Sequence, residues 1–314
     1  MKVILGYVAL SKACEALTTS STITYTNFEK ENEPYDKLYK IINSNLHALK
    51  EILIYNIKNN LHFYRLTSKL IPLATHNKVN YDYIEPFKNK FNEIGELIEK
   101  NKIRIDVHPD QYAVLNSINK SVVENTIEIL EYHYKILNAL NILDKVIILH
   151  VGGNNFGKER SIKRFINNFN KLPDYLRNVI AIENDDKIFD LDDVLYIADQ
   201  LNIPVVLDYH HFICNNNGQK IEDYIEKVFL TWKGKRPKIH FSSPKSKLKK
   251  DFRAHHDYID VDIFIDFIEK VKFLNIDFDI MIEAKAKDDA LYRLVRQLKY
   301  KTDYVFLDES TFEI

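Results

Sequence analysis

Cysteine and glycine are scarce in this sequence. Of its 314 residues only Cys14 and Cys214 are cysteines, and neither belongs to a CxxC pair. This excludes a disulfide scaffold and a zinc-thiolate site, and it favours a reducing compartment, so we expect a cytoplasmic protein. The chain has only seven glycines and no GxGxxG turn after its first apolar run. Few places remain where a backbone could approach a bound dinucleotide closely.

A long apolar run and a strong net charge are also missing. No run approaches the length of about 18 residues that a membrane span needs. The apolar start at 3–10 is too short for a signal peptide and lacks a cleavage site, so we interpret it as a strand and expect no membrane partner. Because the formal net charge is −1, any surface for nucleic acid has to come from local clusters of lysine and arginine.

Short β-branched or aromatic runs, each followed by a stretch of helical period, dominate the chain. Eight such runs lie at 3–7, 63–66, 104–108, 145–151, 179–183, 204–208, 237–241 and 279–283. Strands that alternate with helices predict either a closed (β/α)₈ TIM barrel or an open doubly wound α/β sheet. The scarcity of glycine favours the barrel. We predict one domain over 1–314, with the barrel core at about 2–287 and a C-terminal helix and tail at 288–314.

Potential metal ligands end or follow most of these runs. The strand ends of a barrel converge on one face, so these side chains are expected to share one cavity. The candidates are six histidines and three carboxylates: His76, His108, His150, Glu183, Asp208, His211, His240, His255 and Glu283. Borderline divalent metals bind imidazole and carboxylate, and burying so many polar groups without a cation would be costly. At roughly four to six ligands for each ion, two or three ions are expected.

Two of these assignments are ambiguous from spacing alone, because His210 precedes His211 and His256 follows His255. A single histidine at a strand end is also more often a hydrogen-bonded structural residue than a ligand. It is the number of such residues that favours a metal centre.

Characteristic motifs surround these candidates. They include Leu-Gly-Tyr at 5–7, Arg-Leu-Thr-Ser at 65–68 followed by Ala-Thr-His at 74–76, His-Pro-Asp-Gln-Tyr at 108–112, Leu-His-Val-Gly-Gly at 149–153, Ile-Glu-Asn-Asp at 182–185, Asp-Tyr-His-His at 208–211, Pro-Lys-Ile-His-Phe-Ser-Ser at 237–243, Ala-His-His-Asp-Tyr at 254–258 and Ile-Glu-Ala-Lys at 282–285. From about residue 2 to residue 287 the sequence resembles the UV damage endonuclease family, ATP-independent DNA repair enzymes whose barrel is related to that of endonuclease IV.

The resemblance implies that the nine candidates hold a cluster of manganese ions, and it selects His211 and His255 from the ambiguous pairs. It further implies that Gln111 and Tyr112 probe the duplex at the lesion and that Tyr7 lines the same pocket. Lys238 matches a lysine that can be carboxylated in the family. The sequence departs from the family pattern mainly at Asp110, where glycine is common, and this adds a negative charge near the expected DNA.

The expected activity is incision of double-stranded DNA immediately 5′ to UV photoproducts (cyclobutane dimers and 6-4 photoproducts) and other distorting lesions, by a monomer. A site with several metal ions suits this reaction because the ions can activate water and stabilise the phosphate. The alternatives are an abasic-site endonuclease of the endonuclease IV type, a sugar isomerase on the same barrel, and a non-catalytic damage-binding or metal-storing protein. Two basic runs after ligand strands are expected to face DNA: Lys158, Arg160, Lys163 and Arg164, and then Lys245, Lys247, Lys249, Lys250 and Arg253.

Overall fold

The eight predicted strands form a closed parallel barrel in the computed structural model, which describes residues 1–314. Each strand pairs with the next, and the last pairs with the first. The strands are β1 (Lys2–Val8), β2 (Phe63–Leu66), β3 (Arg104–Val107), β4 (Ile147–His150), β5 (Ile180–Glu183), β6 (Val205–Asp208), β7 (Lys238–Phe241) and β8 (Phe278–Ile282). The prediction of a (β/α)₈ TIM barrel is confirmed.

Helices lie between successive strands and cover the outside of the barrel. They are α1 (Tyr25–Phe28), α2 (Pro34–Lys58), α3 (Lys88–Lys100), α4 (Lys120–Ala139), α5 (Lys158–Phe169), α6 (Asp174–Arg177), α7 (Leu191–Leu201), α8 (Tyr209–Cys214), α9 (Ile225–Leu230), α10 (Val261–Val271) and α11 (Asp288–Lys301). Short 3₁₀ turns occur at Glu85–Phe87, Ile221–Asp223 and Lys272–Leu274. The apolar stripes of the helices meet the outward faces of the strands in one cluster of 76 buried residues.

A C-terminal hairpin, which the sequence did not suggest, closes a gap beside β1. β9 (Val305–Phe306) pairs with β10 (Thr311–Glu313), and β10 runs antiparallel to Lys2–Ile4 of β1. The neighbouring strand β2 is short and pairs only with the later part of β1, beginning at Gly6. The hairpin therefore occupies backbone groups of β1 that would otherwise form an open sheet edge.

Two kinds of side chain fill the barrel below the mouth. On one side Val146, Ile148, Ala181 and Val206 pack with Trp232, whose indole N–H donates to the Val205 carbonyl at 2.8 Å. Ile148, Ala181 and Val206 each precede a predicted ligand by two residues and therefore point inward like that ligand.

The other side of the floor is ionic. There Arg65, Asp106 and Lys238 are buried together, with Asp106 and Lys238 again two residues before predicted ligands. The predicted ligands thus lie on a floor that is half apolar and half charged. None of the helices is long and apolar enough to cross a membrane.

Candidate metal centre

Seven of the nine predicted ligands meet at the C-terminal ends of the strands. Their donor atoms form three groups, each within 4.8 Å: His108, His150 and Glu183; then Glu183, Asp208 and His211; then Asp208, His240 and Glu283. Successive groups share Glu183 or Asp208. The donors therefore form one continuous centre, and it contains more donor atoms than a single ion would bind.

Glu183 lies in the middle of this centre, and its two oxygens face different histidines. Oε2 is 2.8 Å from His108 Nε2 and 3.6 Å from His150 Nε2. Oε1 is 2.9 Å from His240 Nδ1 and 3.5 Å from His211 Nδ1. A carboxylate placed in this way can bridge two ions, one on each side.

Strand register explains why these residues meet. His150 of β4 lies beside Glu183 of β5, and Asp208 of β6 lies beside His240 of β7, as Cα partners in the barrel. Asp208 also caps α8: its Oδ1 accepts a hydrogen bond from the His211 backbone N–H at 2.7 Å. This cap turns the first turn of α8 back over the strand end and brings His211 to the centre.

The orientation of His108 suits a bound cation. Its Nδ1 donates to the Pro109 carbonyl at 3.0 Å, which leaves Nε2 as a lone pair when the ring is neutral. That lone pair faces the Glu183 carboxylate at 2.8 Å. Two acceptors at this distance repel unless a proton or a metal ion lies between them.

Two buried polar atoms of the centre have no hydrogen-bond partner: Asp208 Oδ2 and His150 Nδ1. An unpartnered buried carboxylate oxygen is unfavourable, and it is a ready ligand for a cation. Burial also lowers the pKa of His150 to about 4, so its ring is neutral near pH 7, as a metal ligand must be. The donor set therefore fits divalent metal ions.

The charges of the centre are strongly coupled. Burial alone would raise the pKa of Glu183, but the surrounding histidines, His240 above all, outweigh it and hold that pKa well below its usual value. Burial raises the pKa of Asp208. Burial would lower the pKa of His211, but Asp208 and Glu183 raise it well above the usual value. The buried carboxylates thus favour positive charge on the groups around them.

His255 lies at the edge of the centre, and His76 lies apart from it. His255 lines the same cavity as His108, Glu183 and Glu283, and its ring centroid is 6.3 Å from that of His211. His76, in the loop after β2, instead stacks on Tyr25 with ring centroids 4.2 Å apart. The structure does not bring its imidazole together with the seven donors.

Tyr7, expected to line the pocket, is placed differently. Its side chain is 0% exposed, and its hydroxyl donates to Asn56 of α2 at 2.6 Å. Strand alternation explains this, because the neighbouring Gly6 occupies the inward face of β1, where a Cβ would lie 2.6 Å from the Phe63 carbonyl oxygen. Tyr7 faces the helical layer, and in this structure it is a core residue that does not reach the cavity.

Lys238 points inward, as the strand period predicts, but it lies below the ligands. Its ammonium is fully buried, 3.7 Å from Asp106 Oδ2 and 5.2 Å from the centre of the Phe63 ring. Burial lowers the pKa of Lys238 to about 7. The amine is therefore only partly charged at neutral pH.

Gln111 and Tyr112 are exposed at the mouth of the barrel, on the loop after β3. Tyr112 is 65% exposed, and its hydroxyl donates to Asp110 at 2.8 Å. Gln111 lines both of the cavities that open at the mouth. One, of about 570 Å³, is also lined by Tyr112 and Lys287, and the other, of about 700 Å³, by most of the metal donors; His108 and Glu283 line both.

The two basic runs differ in how far their side chains are already paired with other protein groups. In the first, Lys158 pairs with Asp193 at 2.6 Å, Lys163 pairs with Glu159, and Arg164 binds the carbonyls of Asn116 and Asn155. In the second, Lys249 and Lys250 line the cavity of the metal donors. The second run is thus the better placed to meet a ligand of the centre.

Arg65 belongs to the site although its sequence position did not predict it. It is 4% exposed, and its guanidinium contacts Asp106, Glu283 and His240 from below. A charged residue in the apolar run of β2 was the available signal, because only an inward position beside carboxylates could accommodate it.

Comparisons with known proteins agree with one another. A sequence profile of the family UV-endonuclease UvdE matches residues 3–308. A UV DNA damage endonuclease from Bacillus cereus (strain G9842) is 42% identical over 298 residues, which cover 93% of each chain. One from Bacillus anthracis is 40% identical over 313 residues, which cover 98% of each chain.

Solved structures separate this family from other barrels. The crystal structure of SacUVDE matches with a TM-score of 0.86 and 35% identity, over 95% of this chain and 98% of that one. Endonuclease IV from Thermus thermophilus matches with a TM-score of 0.53 and 10% identity, over 88% and 91% of the two chains, which shows a common fold only. The chain therefore belongs to the UV-endonuclease UvdE family of DNA-cleaving enzymes.

Proposed function

We propose that this protein is a metal-dependent DNA repair endonuclease that hydrolyses the phosphodiester bond immediately 5′ to cyclobutane dimers, 6-4 photoproducts and other distorting lesions. The observation that carries the proposal is the position of Glu183, whose two carboxylate oxygens each face a different pair of histidines. The names of the relatives support the DNA substrate.

In this proposal His108, His150 and Glu183 would hold one ion, and Asp208, His211, His240 and Glu283 would hold another. His255, at the edge of the centre, would then be available for a third ion, whereas His76 lies apart from the other donors. Manganese is the proposed metal, and bound divalent ions would supply an activated water and stabilise the negative charge of the phosphate and the leaving oxygen.

The other residues of the mouth bind and orient the DNA. Lys249 and Lys250 are placed to hold phosphates beside the centre, because they line the cavity that contains the metal donors. Gln111 lines both this cavity and the neighbouring one. Gln111 and Tyr112 would enter the base stack at the lesion, where a distorted duplex is cheaper to unstack than a normal one.

Lys238 has a supporting role in the proposal. A buried amine with its pKa lowered to about 7 is neutral often enough to react, and carboxylation would give a second negative charge below the ligands. In either form it would influence Glu283 and His240 through Asp106 and Arg65, which lie between them. The protein is proposed to act as a monomer in the cytoplasm, associated with the nucleoid through DNA.

The test is incision of defined duplexes by protein loaded with Mn²⁺. An irradiated duplex, an abasic duplex and an undamaged duplex are compared, using the wild type, Glu183→Gln and the exposed control Glu226→Gln. The proposal expects nicking 5′ to the photoproduct by the wild type and the control, and a loss of at least about a hundredfold in Glu183→Gln. Cleavage of the abasic duplex alone, or unchanged incision by Glu183→Gln, would contradict it.

A further inference from the structure

Arg65 lies directly beneath the metal donors and uses all three of its guanidinium nitrogens. Nε donates to Asp106 Oδ1 at 3.0 Å, one terminal nitrogen donates to Glu283 Oε1, and the other contacts His240 Nε2. The side chain is buried inside the barrel. It is therefore held in one orientation by three partners, two of which belong to the donor set.

The charge of Arg65 matters because of what surrounds it. Glu183, Asp208 and Glu283 bring three carboxylates into a buried space, and Asp106 adds a fourth just below. A guanidinium cannot lose its proton under these conditions, so it supplies a permanent positive charge there. Arg65 contacts two of these four acids, Asp106 and Glu283, as a fixed cation.

Arg65 and a metal ion also compete for His240. Because a guanidinium can only donate, His240 Nε2 accepts from Arg65, and the ring proton is on Nδ1, 2.9 Å from Glu183 Oε1. An ion that binds Nε2 has to displace Arg65. An ion that binds Nδ1 moves the ring proton to Nε2, where it would face the N–H of Arg65.

We propose that Arg65 is a positioning residue that takes the place of a cation in the metal-free centre, holding Glu283 and His240 until an ion enters and weakens its contacts with them. The inference rests on the proposed metal-dependent function but concerns the metal-free protein. It makes Arg65 the residue that sets how tightly the centre retains its ions.

A neutral side chain at this position would change the stability of the metal-free protein and that of the metal-loaded protein by different amounts. In the metal-free protein, Arg65→Met leaves Asp106 and Glu283 buried without their cation, which is destabilising. In the loaded protein the ions compensate the same carboxylates, so much of the loss is recovered. The Mn²⁺ dissociation constant of Arg65→Met is therefore expected to fall by about tenfold or more relative to the wild type, because a positive charge next to the ions has been removed.

Arg104 provides a matched control. It is another inward arginine, on β3, and it pairs with Asp279 at 2.6 Å and Asp144 at 3.1 Å at the opposite end of the barrel. It contacts none of the seven donors. Arg104→Met should lower the melting temperature by the same amount with and without Mn²⁺ and leave the Mn²⁺ dissociation constant unchanged. Arg65→Lys, which keeps the charge but not the three contacts, should keep a Mn²⁺ dissociation constant close to that of the wild type.

The experiment measures melting temperature with chelator and with Mn²⁺, and the Mn²⁺ dissociation constant by titration, for the wild type and the three variants. A loss in Arg65→Met that Mn²⁺ largely restores, with tighter Mn²⁺ binding, supports the inference. An equal loss in both states, or weaker Mn²⁺ binding, overturns it and leaves Arg65 as an ordinary structural residue.

Two further outcomes are distinguishable. If metal-free Arg65→Met does not fold, loaded protein is titrated with chelator: unfolding on metal release, while Arg104→Met stays folded, supports the inference, and parallel unfolding of both overturns it. If the wild type binds no Mn²⁺, the proposed function fails first, and the inference fails with it.

Discussion

Lys238 Nζ lies 3.7 Å from Asp106 Oδ2, and neither atom has a hydrogen-bond partner. The two groups are close enough to interact as charges, yet too far apart to compensate the burial of an ammonium. This is why burial dominates and the pKa of Lys238 falls to about 7, from an ordinary value of 10.5.

That shift predicts how stability depends on pH. Between about pH 7 and 10.5 the unfolded chain binds a proton on Lys238 that the folded chain does not, so the free energy of unfolding rises with pH in this window. The penalty is complete below pH 7. The wild type minus Lys238→Met difference should therefore become more favourable by up to about 1.4 kcal/mol per pH unit above pH 7.

Denaturant unfolding at pH 7, 8 and 9, with chelator and without bicarbonate, measures this difference. Exposed Lys233→Met is the control and should show none of the pH dependence. A flat difference across this range would mean that the Lys238 ammonium is compensated in the folded protein and would contradict the prediction.

His211 predicts a second pH effect. Burial would lower the pKa of His211, but Asp208 and Glu183 raise it well above the usual value. The His211 ring therefore holds a proton near neutral pH that a bound ion must displace. Mn²⁺ affinity should increase with pH, and binding at pH 7 should release about one proton or more per protein.

Isothermal titration in two buffers with different ionisation heats counts the released protons. His211→Gln should release fewer protons than the wild type, whereas His47→Gln, on an exposed position of α2, should release the same number. Binding without any proton release in the wild type would show that the His211 ring is already neutral and would contradict the prediction.

The barrel and most of the centre could be predicted because ligands at strand ends leave a periodic signal. His150, Glu183 and Asp208 each follow an apolar run, and the barrel brings such positions together whatever the loops do. His76 follows β2 by ten residues, so its position depends on a loop whose course has no such period.

Tyr7 and the C-terminal hairpin show two other limits. β1 is apolar on both faces, so its sequence does not indicate which residues point inward, and only the close contact of Gly6 with Phe63 marks the inner face. The strands β9 and β10 have two and three residues, too few to show an alternating pattern. Their stability comes from pairing with β1, which is a tertiary effect.

The exposed position of Tyr112 leads to a prediction about which residue recognises the lesion. Its ring is exposed at the mouth and is anchored only through its hydroxyl to Asp110. If it stacks on bases at the lesion, Tyr112→Ala should lower incision of an irradiated duplex by about tenfold to a hundredfold while Mn²⁺ binding is unchanged. Tyr300→Ala removes a tyrosine that is 90% exposed on α11 and is the control. Equal incision by both variants would remove Tyr112 from the recognition surface.

Gly152 and Gly153 follow His150, and the structure predicts that they respond differently to the same substitution. Gly152 has φ of +114°, and a Cβ there would lie 2.4 Å from Asn116 Oδ1 and 2.8 Å from the Val114 side chain. At Gly153 a Cβ would have only Asn155 Nδ2 nearby, at 3.9 Å. Gly152→Ala should therefore lower the free energy of unfolding by about 2–4 kcal/mol, whereas Gly153→Ala should change it by less than about 1 kcal/mol.

The same pair tests whether the loop after β4 positions His150. Asn116 links this loop to the loop after β3, because its side chain bonds both the carbonyl and the N–H of Gly153. A Cβ at Gly152 would push Asn116 away and shift the end of β4, so Gly152→Ala should also weaken Mn²⁺ binding. Denaturant unfolding and Mn²⁺ titration of both variants measure the two effects. If Gly152→Ala binds Mn²⁺ like Gly153→Ala despite its lower stability, the loop supports the barrel without positioning the ligand.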